Sequence, residues 1–212
     1  MTQRHRYNPP MHTEAEADAL RELGNVAFSH AATALSGLVG KRVDISLPSV
    51  RIVPTTEVEG GGSGPDEPLF IVTLRILGDQ QGLLALIFGQ NDALTLTEML
   101  EGVPHGTRTT FTPAAEGILT EVANIMCGSA LLAMYRMLRI SLVHSVPMIR
   151  LRGLSARETN EPLGSIEGDL AILVDAEFSV ENRVSHGKMV ISLHDLQYFL
   201  DALNMYQDGG ST

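Results

Sequence analysis

A carboxylate and a carboxamide three residues apart form the constellation in this chain with the clearest chemical potential. Glu22 and Asn25 stand at that spacing, with Asp18 one turn earlier and Ser29 one turn later. On a helix turning about 100° per residue these four fall on one stripe, within roughly 60° of one another. A carboxamide oxygen accepts a hydrogen bond from a water while its amide group donates to an anionic oxygen. A helix-borne carboxamide can thus hold a water against an anionic group, and a carboxylate beside it can pair with a cation. Such chemistry works by positioning and needs no metal ligand from this chain.

The constellation recurs 99 residues later, where Glu121, Asn124 and Pro147 match Glu22, Asn25 and Pro48. Asp18 is matched by Gly117, the one break in the pattern. The apolar stripes run in register too, as Leu20, Leu23, Ala27, Ala31, Ala34 and Leu38, and as Leu119, Val122, Met126, Ala130, Ala133 and Met137. A repeat of this length is a duplicated supersecondary unit rather than a solenoid, which needs several short units. An exposed Glu or Asn on a helix is ordinarily solvated surface, and so the in-register recurrence is what singles these out.

Other chemistries find little support. The seven histidines show no metal-ligand spacing. Neither Ser29-His30 nor Ser185-His186 lies in a Gly-x-Ser-x-Gly frame. Cys127 is the single cysteine, which excludes a disulfide framework and reads as a small buried hydrophobe. The glycines of Thr55 to Pro68 precede no helix and no Lys-Ser/Thr follows, so this is not a phosphate-cradling loop. A net charge of −10 argues against a nucleic-acid partner and an anionic membrane surface. The longest apolar run, Leu83 to Phe88, is far short of a membrane span, and Met1 to His12 lacks an apolar signal region. A soluble, cytoplasmic protein with no membrane insertion is expected.

The 212 residues suit one domain, or two half-domains sharing a core, with 44% apolar residues to fill it. Residues 1–12 read as a flexible tail, 13–208 as a single domain with repeats of about 13–104 and 112–206, and 209–212 as a frayed end. The first long helix is expected from a Thr13 cap to about Val39, where Gly40 stops it. Strands follow at Val43 to Val53, Leu69 to Leu77 and Gly82 to Phe88, then a short helix at Asn91 to Leu100. The second unit opens with Thr112 and Pro113 as cap and first helical residue, for a helix to about Leu138. Strands at Ile140 to Leu151, Asp169 to Val180 and Gly187 to Leu193 precede a closing helix at His194 to Met205. The fold class is thus α+β. Duplicated α-β-β-β-α units, each a meander, are related by a pseudo-two-fold axis, with the long helices packed on antiparallel sheet. Ile118, Ile125 and Leu132 make the second long helix apolar on further sides, which predicts deeper burial. The prolines are expected to shape strand starts.

The pattern Asp18-x3-Glu22-x2-Asn25, with twenty-two residues before Pro48, resembles the signature of the CheC/FliY/CheX phosphatases. The wording Glu-Leu-Gly-Asn-Val followed by Ala-Ala-Thr-Ala-Leu-Ser looks like the CheC branch, and the resemblance spans about Ala15 to Met205. It implies hydrolysis of the aspartyl phosphate on the chemotaxis response regulator CheY. Asn25 and Asn124 would orient the water, and Glu22 and Glu121 would pair with the partner's active-site lysine. Mg(2+) would sit on the partner, with no cofactor bound by this chain. Two motifs are expected to separate it from CheX, and its length and ends to set it with CheC rather than FliY. Phe28 and His30 depart from the smaller residues that commonly follow the first Gly-Asn, where they could alter docking. The resemblance also implies alternatives: an adaptor that binds the receptor deamidase CheD, or a structural protein associated with the flagellar switch.

Overall fold

The computed structural model describes residues 14–55, 58, 68–152 and 169–209. The tail 1–12, the Thr13 cap, the glycines of Glu59 to Gly64 and residues 210–212 lie outside them. In chain order the elements are α1 (Glu14–Val39), β1 (Val43–Pro54), β2 (Leu69–Gly78), β3 (Gly82–Gly89) and α2 (Gln90–Glu101). There follow α3 (Pro113–Leu138), β4 (Leu142–His144), β5 (Met148–Arg152), β6 (Leu170–Val180), β7 (Arg183–Leu193) and α4 (Leu196–Gly209). Helix α3 starts as its sequence dictates. The Thr112 hydroxyl accepts from the Ala115 N–H, and Pro113 fills the first turn. Helix α4 continues through Gly209, one residue into the stretch expected to fray.

The seven strands form one antiparallel sheet in the order β1-β6-β7-β3-β2, with β4 and β5 both along the outer edge of β2. This corrects the expected meander. Strand β1 pairs with β6, not β2, so the connection from Thr55 to Pro68 closes no hairpin. Burial explains the exchange. Strand β1 is half-exposed along its length, as suits an edge, whereas β3 and β6 carry nearly continuous buried runs and occupy inner positions. The adjacency of consecutive strands is only a tendency.

Pro48 lies inside β1 rather than at its start, whereas Pro147 directly precedes β5. The β1–β6 register shifts between Ser46 and Ser49, so that β1 carries one extra residue beside Pro48. The strand expected over Ile140 to Leu151 is split at the corresponding place. His144 pairs with Ile76 and Met148 with Thr73, again one residue in excess, with Pro147 in the gap. Proline has no N–H to give a ladder, and bulges at sheet edges accommodate it. Ser145 repairs the gap: its N–H donates to the Arg75 carbonyl and its hydroxyl accepts from the Arg75 N–H.

All four helices contribute to a core against one face of the sheet, built on Phe70, Val72, Leu84, Leu86, Phe178 and Met189 among others. The opposite face buries a smaller cluster that includes Val58, Ile71, Ile87 and Leu173. Helix α1 lies against α3 and β1. Its buried stripe is Leu20, Leu23, Ala27, Phe28, Ala31 and Leu35, whereas Ala34 and Leu38, expected inside, are exposed. The helix therefore presents a rotated side to the core over its last turns, and Phe28 and Leu35 supply the volume that Ala34 could not. Each such side chain is worth about 1.5–3 kcal/mol when buried. Helix α3 is the more deeply buried, as its composition predicts, although Leu132 faces outward at 40% exposure. Among the described residues α3 alone is long and apolar enough, by length and composition, to cross a membrane. Here it packs against α1, α2 and β4.

Candidate functional site

On α1 the core stripe leaves Asp18, Glu22, Asn25 and Ser29 in solvent, all exposed on one helix face. Asp18 pairs with Arg21 one turn along, an interaction that holds two exposed side chains beside Glu22. Arg21 was not among the candidates, yet its i, i+3 spacing from Asp18 was visible in the sequence. Gly24, between the two motif residues, lies close against β1. A Cβ there would lie 2.8 Å from Leu47 Cδ2. Its small size therefore serves helix–strand packing under the motif, and Pro48, exposed, follows Leu47 on the same strand.

On α3 Glu121 is exposed and Asn124 partly so, with Pro147 partly buried near the strand break. The surroundings differ from those of α1. Gly117 and Thr120 stand where the first copy has the Asp18–Arg21 pair, and the Thr120 hydroxyl donates to the Glu116 carbonyl. A Cβ on Gly117 would meet nothing within 4 Å. Packing therefore does not require the glycine. Glu121 borders a cleft of about 380 Å³ between the end of α1 and the start of α3, with Leu38, Leu100, Gly117 and Ile118 in its walls. Leu38 is 60% exposed there, which explains its departure from the core stripe.

Neither departure noted beside the first motif bears on docking equally. Phe28 is 2% exposed and belongs to the core, so it cannot touch a partner. His30 is exposed and its Nε2 lies 3.5 Å from Arg136 of α3. The remaining candidates are structural. Burial pushes the Cys127 thiol up to about 12, which leaves no thiolate for chemistry. Among the described residues no three His, Cys, Asp or Glu side chains are placed to hold a metal ion. His186 lies between Asp92 and Glu177 at 3.5 Å from each, an exposed pairing of α2 with the sheet.

One buried acid had no signal in the sequence. Glu98, 1% exposed, accepts hydrogen bonds from the N–H groups of Arg108 at 2.7 Å and Gly106 at 3.0 Å. Burial pushes its carboxyl up. Those two hydrogen bonds, with His105 and Arg183 nearby, outweigh the burial and hold its pKa below the usual value. It fastens the connection that delivers the chain to the Thr112 cap of α3. Glu101 pairs with Arg108 in the same connection, and Arg108 also donates to the Thr112 hydroxyl.

Long helices bearing solvent-facing Glu-x-x-Asn, laid on an antiparallel sheet, are what the resemblance to CheC-like proteins implied. That recognition is borne out. The CheC-like family model matches residues 16–52, the segment containing Glu22, Asn25 and Pro48. The CheY-P phosphatase CheC of Bacillus subtilis is 29% identical over 166 residues, covering 76% of this chain and 79% of its own. The flagellar motor switch phosphatase FliY of the same organism is 24% identical over 94% of this chain. This chain spans only 51% of that FliY. Among solved structures, Thermotoga maritima FliY superposes with a TM-score of 0.74 at 23% identity, covering 93% of this chain and 98% of that one. The FliM middle domain from H. pylori superposes at 0.64 and 14% identity, covering 90% and 99%. These two likenesses establish the fold.

Proposed function

We propose that this protein hydrolyses the aspartyl phosphate of a CheY-like response regulator, in the cytoplasm, using two sites. Asn25 and Asn124 each hold a water in line with the phosphorus through the carboxamide oxygen, while the amide donates to a phosphoryl oxygen. The water attacks, the bond from phosphorus to the aspartyl oxygen breaks, and inorganic phosphate leaves the free carboxylate on the partner. Glu22 and Glu121 pair with the partner's active-site lysine and set the docking angle. The Mg(2+) that neutralises the phosphoryl charge belongs to the partner. The observation that carries this reading is the Glu-x-x-Asn pair on the exposed face of each long helix, at matching positions of the chain. The names of the CheC and FliY relatives point the same way.

The two sites descend, in this reading, from one duplicated α-β-β-β-α unit. In support, the strand order reads alike from either edge when β1, β2 and β3 are exchanged for β4/β5, β6 and β7. The one-residue excess beside Pro48 and Pro147 falls at the same offset.

The test is loss of phosphate from cognate phospho-CheY with wild type and the Asn25→Ala, Asn124→Ala and double variants. Each single variant should lose about half the acceleration if the sites act in parallel, and the double variant all of it. A double variant that still accelerates hydrolysis overturns the mechanism. A second reading, a protein-binding part of the flagellar switch or an adaptor for CheD, is favoured by the fold likeness to FliM. Wild type that binds such a partner and leaves phospho-CheY untouched would establish it.

A further inference from the structure

The exposed face of α3 does not end at Asn124. Successive residues at about 100° put Gly128, Leu132 and Tyr135 on the stripe of Glu121 and Asn124. Leu132 and Tyr135 are 40% and 49% exposed. Together with Leu142 and His144 of β4 they line an open groove of about 360 Å³ between α3 and β4. The corresponding stripe of α1 is polar, with Ser29, Thr33 and Ser36. There, moreover, the Ser36 hydroxyl accepts from the Val43 N–H at 2.8 Å and so ties helix to strand. At the place of Ser36 the second unit has Tyr135, and its groove stands open.

We infer that this groove is part of the second docking site and receives an apolar side chain of the same response regulator that presents its aspartyl phosphate to Asn124. The inference rests on the phosphatase reading above and adds a specificity element to one of its two sites. The argument is geometric. Leu132 lies eight residues beyond Asn124 on the same face, about 12 Å along the helix. A protein seated on Asn124 with an ordinary footprint of about 800 Å² covers the groove as well. Tyr135 is of the side-chain type enriched among the anchors of such contacts, and Leu132 adds apolar area beside it. The regulator that fits thus has a bulky apolar residue about 12 Å from its phosphorylated aspartate.

The test replaces Leu132→Thr and Tyr135→Ser together, the residues α1 already carries at these positions. Phosphate loss is measured against regulator concentration in two backgrounds. With Asn25→Ala, where only the second site works, the double replacement should raise KM about tenfold and leave kcat unchanged. With Asn124→Ala, where only the first site works, it should change neither. Asn25→Ala protein that accelerates nothing overturns the second site and this inference with it. Acceleration with an unmoved KM overturns the groove alone. Equal loss in both backgrounds assigns the residues to stability instead. If the replacement converts a dimer to a monomer in sedimentation and leaves KM unmoved, the groove holds a second copy of this chain.

Discussion

The Glu98 carboxylate holds two N–H groups of the α2–α3 connection while 1% exposed, and no partner element could replace it there. A hydrogen bond to a charged acceptor contributes about 1.5–3 kcal/mol, and a buried donor left unmatched costs as much again. Glu98→Gln keeps the shape, removes the charge and turns one acceptor toward the N–H groups as a donor. The variant should lose about 2–3 kcal/mol in urea unfolding at pH 7. The pH dependence has a definite sign. Because the folded pKa lies below the unfolded one, Glu98 stabilises fully above the unfolded value near about 4.3. That stability is lost as pH falls through the lower folded value. The gap between wild type and Glu98→Gln should therefore be widest at neutral pH and close under acid. A gap that widens under acid would refute the assignment.

At the scale of elements, α1 and α3 were legible because period, cap and stop all agree. Thr112, Pro113 and Gly40 fix ends that the structure reproduces within a residue. The outward side of each helix was legible as well, since Glu22 and Asn25 oppose a stripe of Leu and Ala. What the stripe could not reveal is its rotation near the end of α1, where Leu38 lines the cleft beside Glu121 together with residues of α2 and α3. Partner choice among strands was equally hidden. A strand's own residues report how buried it is, not which neighbour buries it, and so the pairing of β1 with β6 escaped. Glu98 escaped for the same reason, since its partners are backbone groups that any residue supplies. Gly117 brings the helix scale back to function. It sits in the second turn of α3 with open space around its missing Cβ. Gly117→Ala should stabilise the protein by about 1 kcal/mol, the helix-propensity difference. In a protein of this size that raises Tm by about 2–4 °C in calorimetry. Turnover through Asn124 should be unchanged. A lower Tm would show that the glycine is needed for a contact made only as the helix folds or moves.

The whole molecule couples its two motif helices through one sheet that neither half can complete. Residues 14–104 contain β1, β2 and β3, but of these only β2 and β3 pair with each other; β1 finds its partner in β6. Residues 112–206 contain the β6–β7 hairpin, while β4 and β5, among the described residues, pair with β2 of the other half. The central seam, β3 with β7, joins the halves again, and so does the packing of α1 against α3. Cut between Glu101 and Thr112, each fragment would keep one hairpin, which is marginal in water on its own. Each would also expose the buried sides of β3 or β7 and of its long helix. Expressed separately, the two fragments should show no cooperative thermal transition and few dispersed amide resonances. Mixed or co-expressed, they should associate one to one and regain the wild-type circular dichroism. A fragment that melts cooperatively alone would show that half of the sheet suffices. The two sites could then evolve, and work, as separable units. If neither folds alone, any change at the β3–β7 seam reaches both Asn25 and Asn124 at once, and the two motif helices stand or fall together in stability.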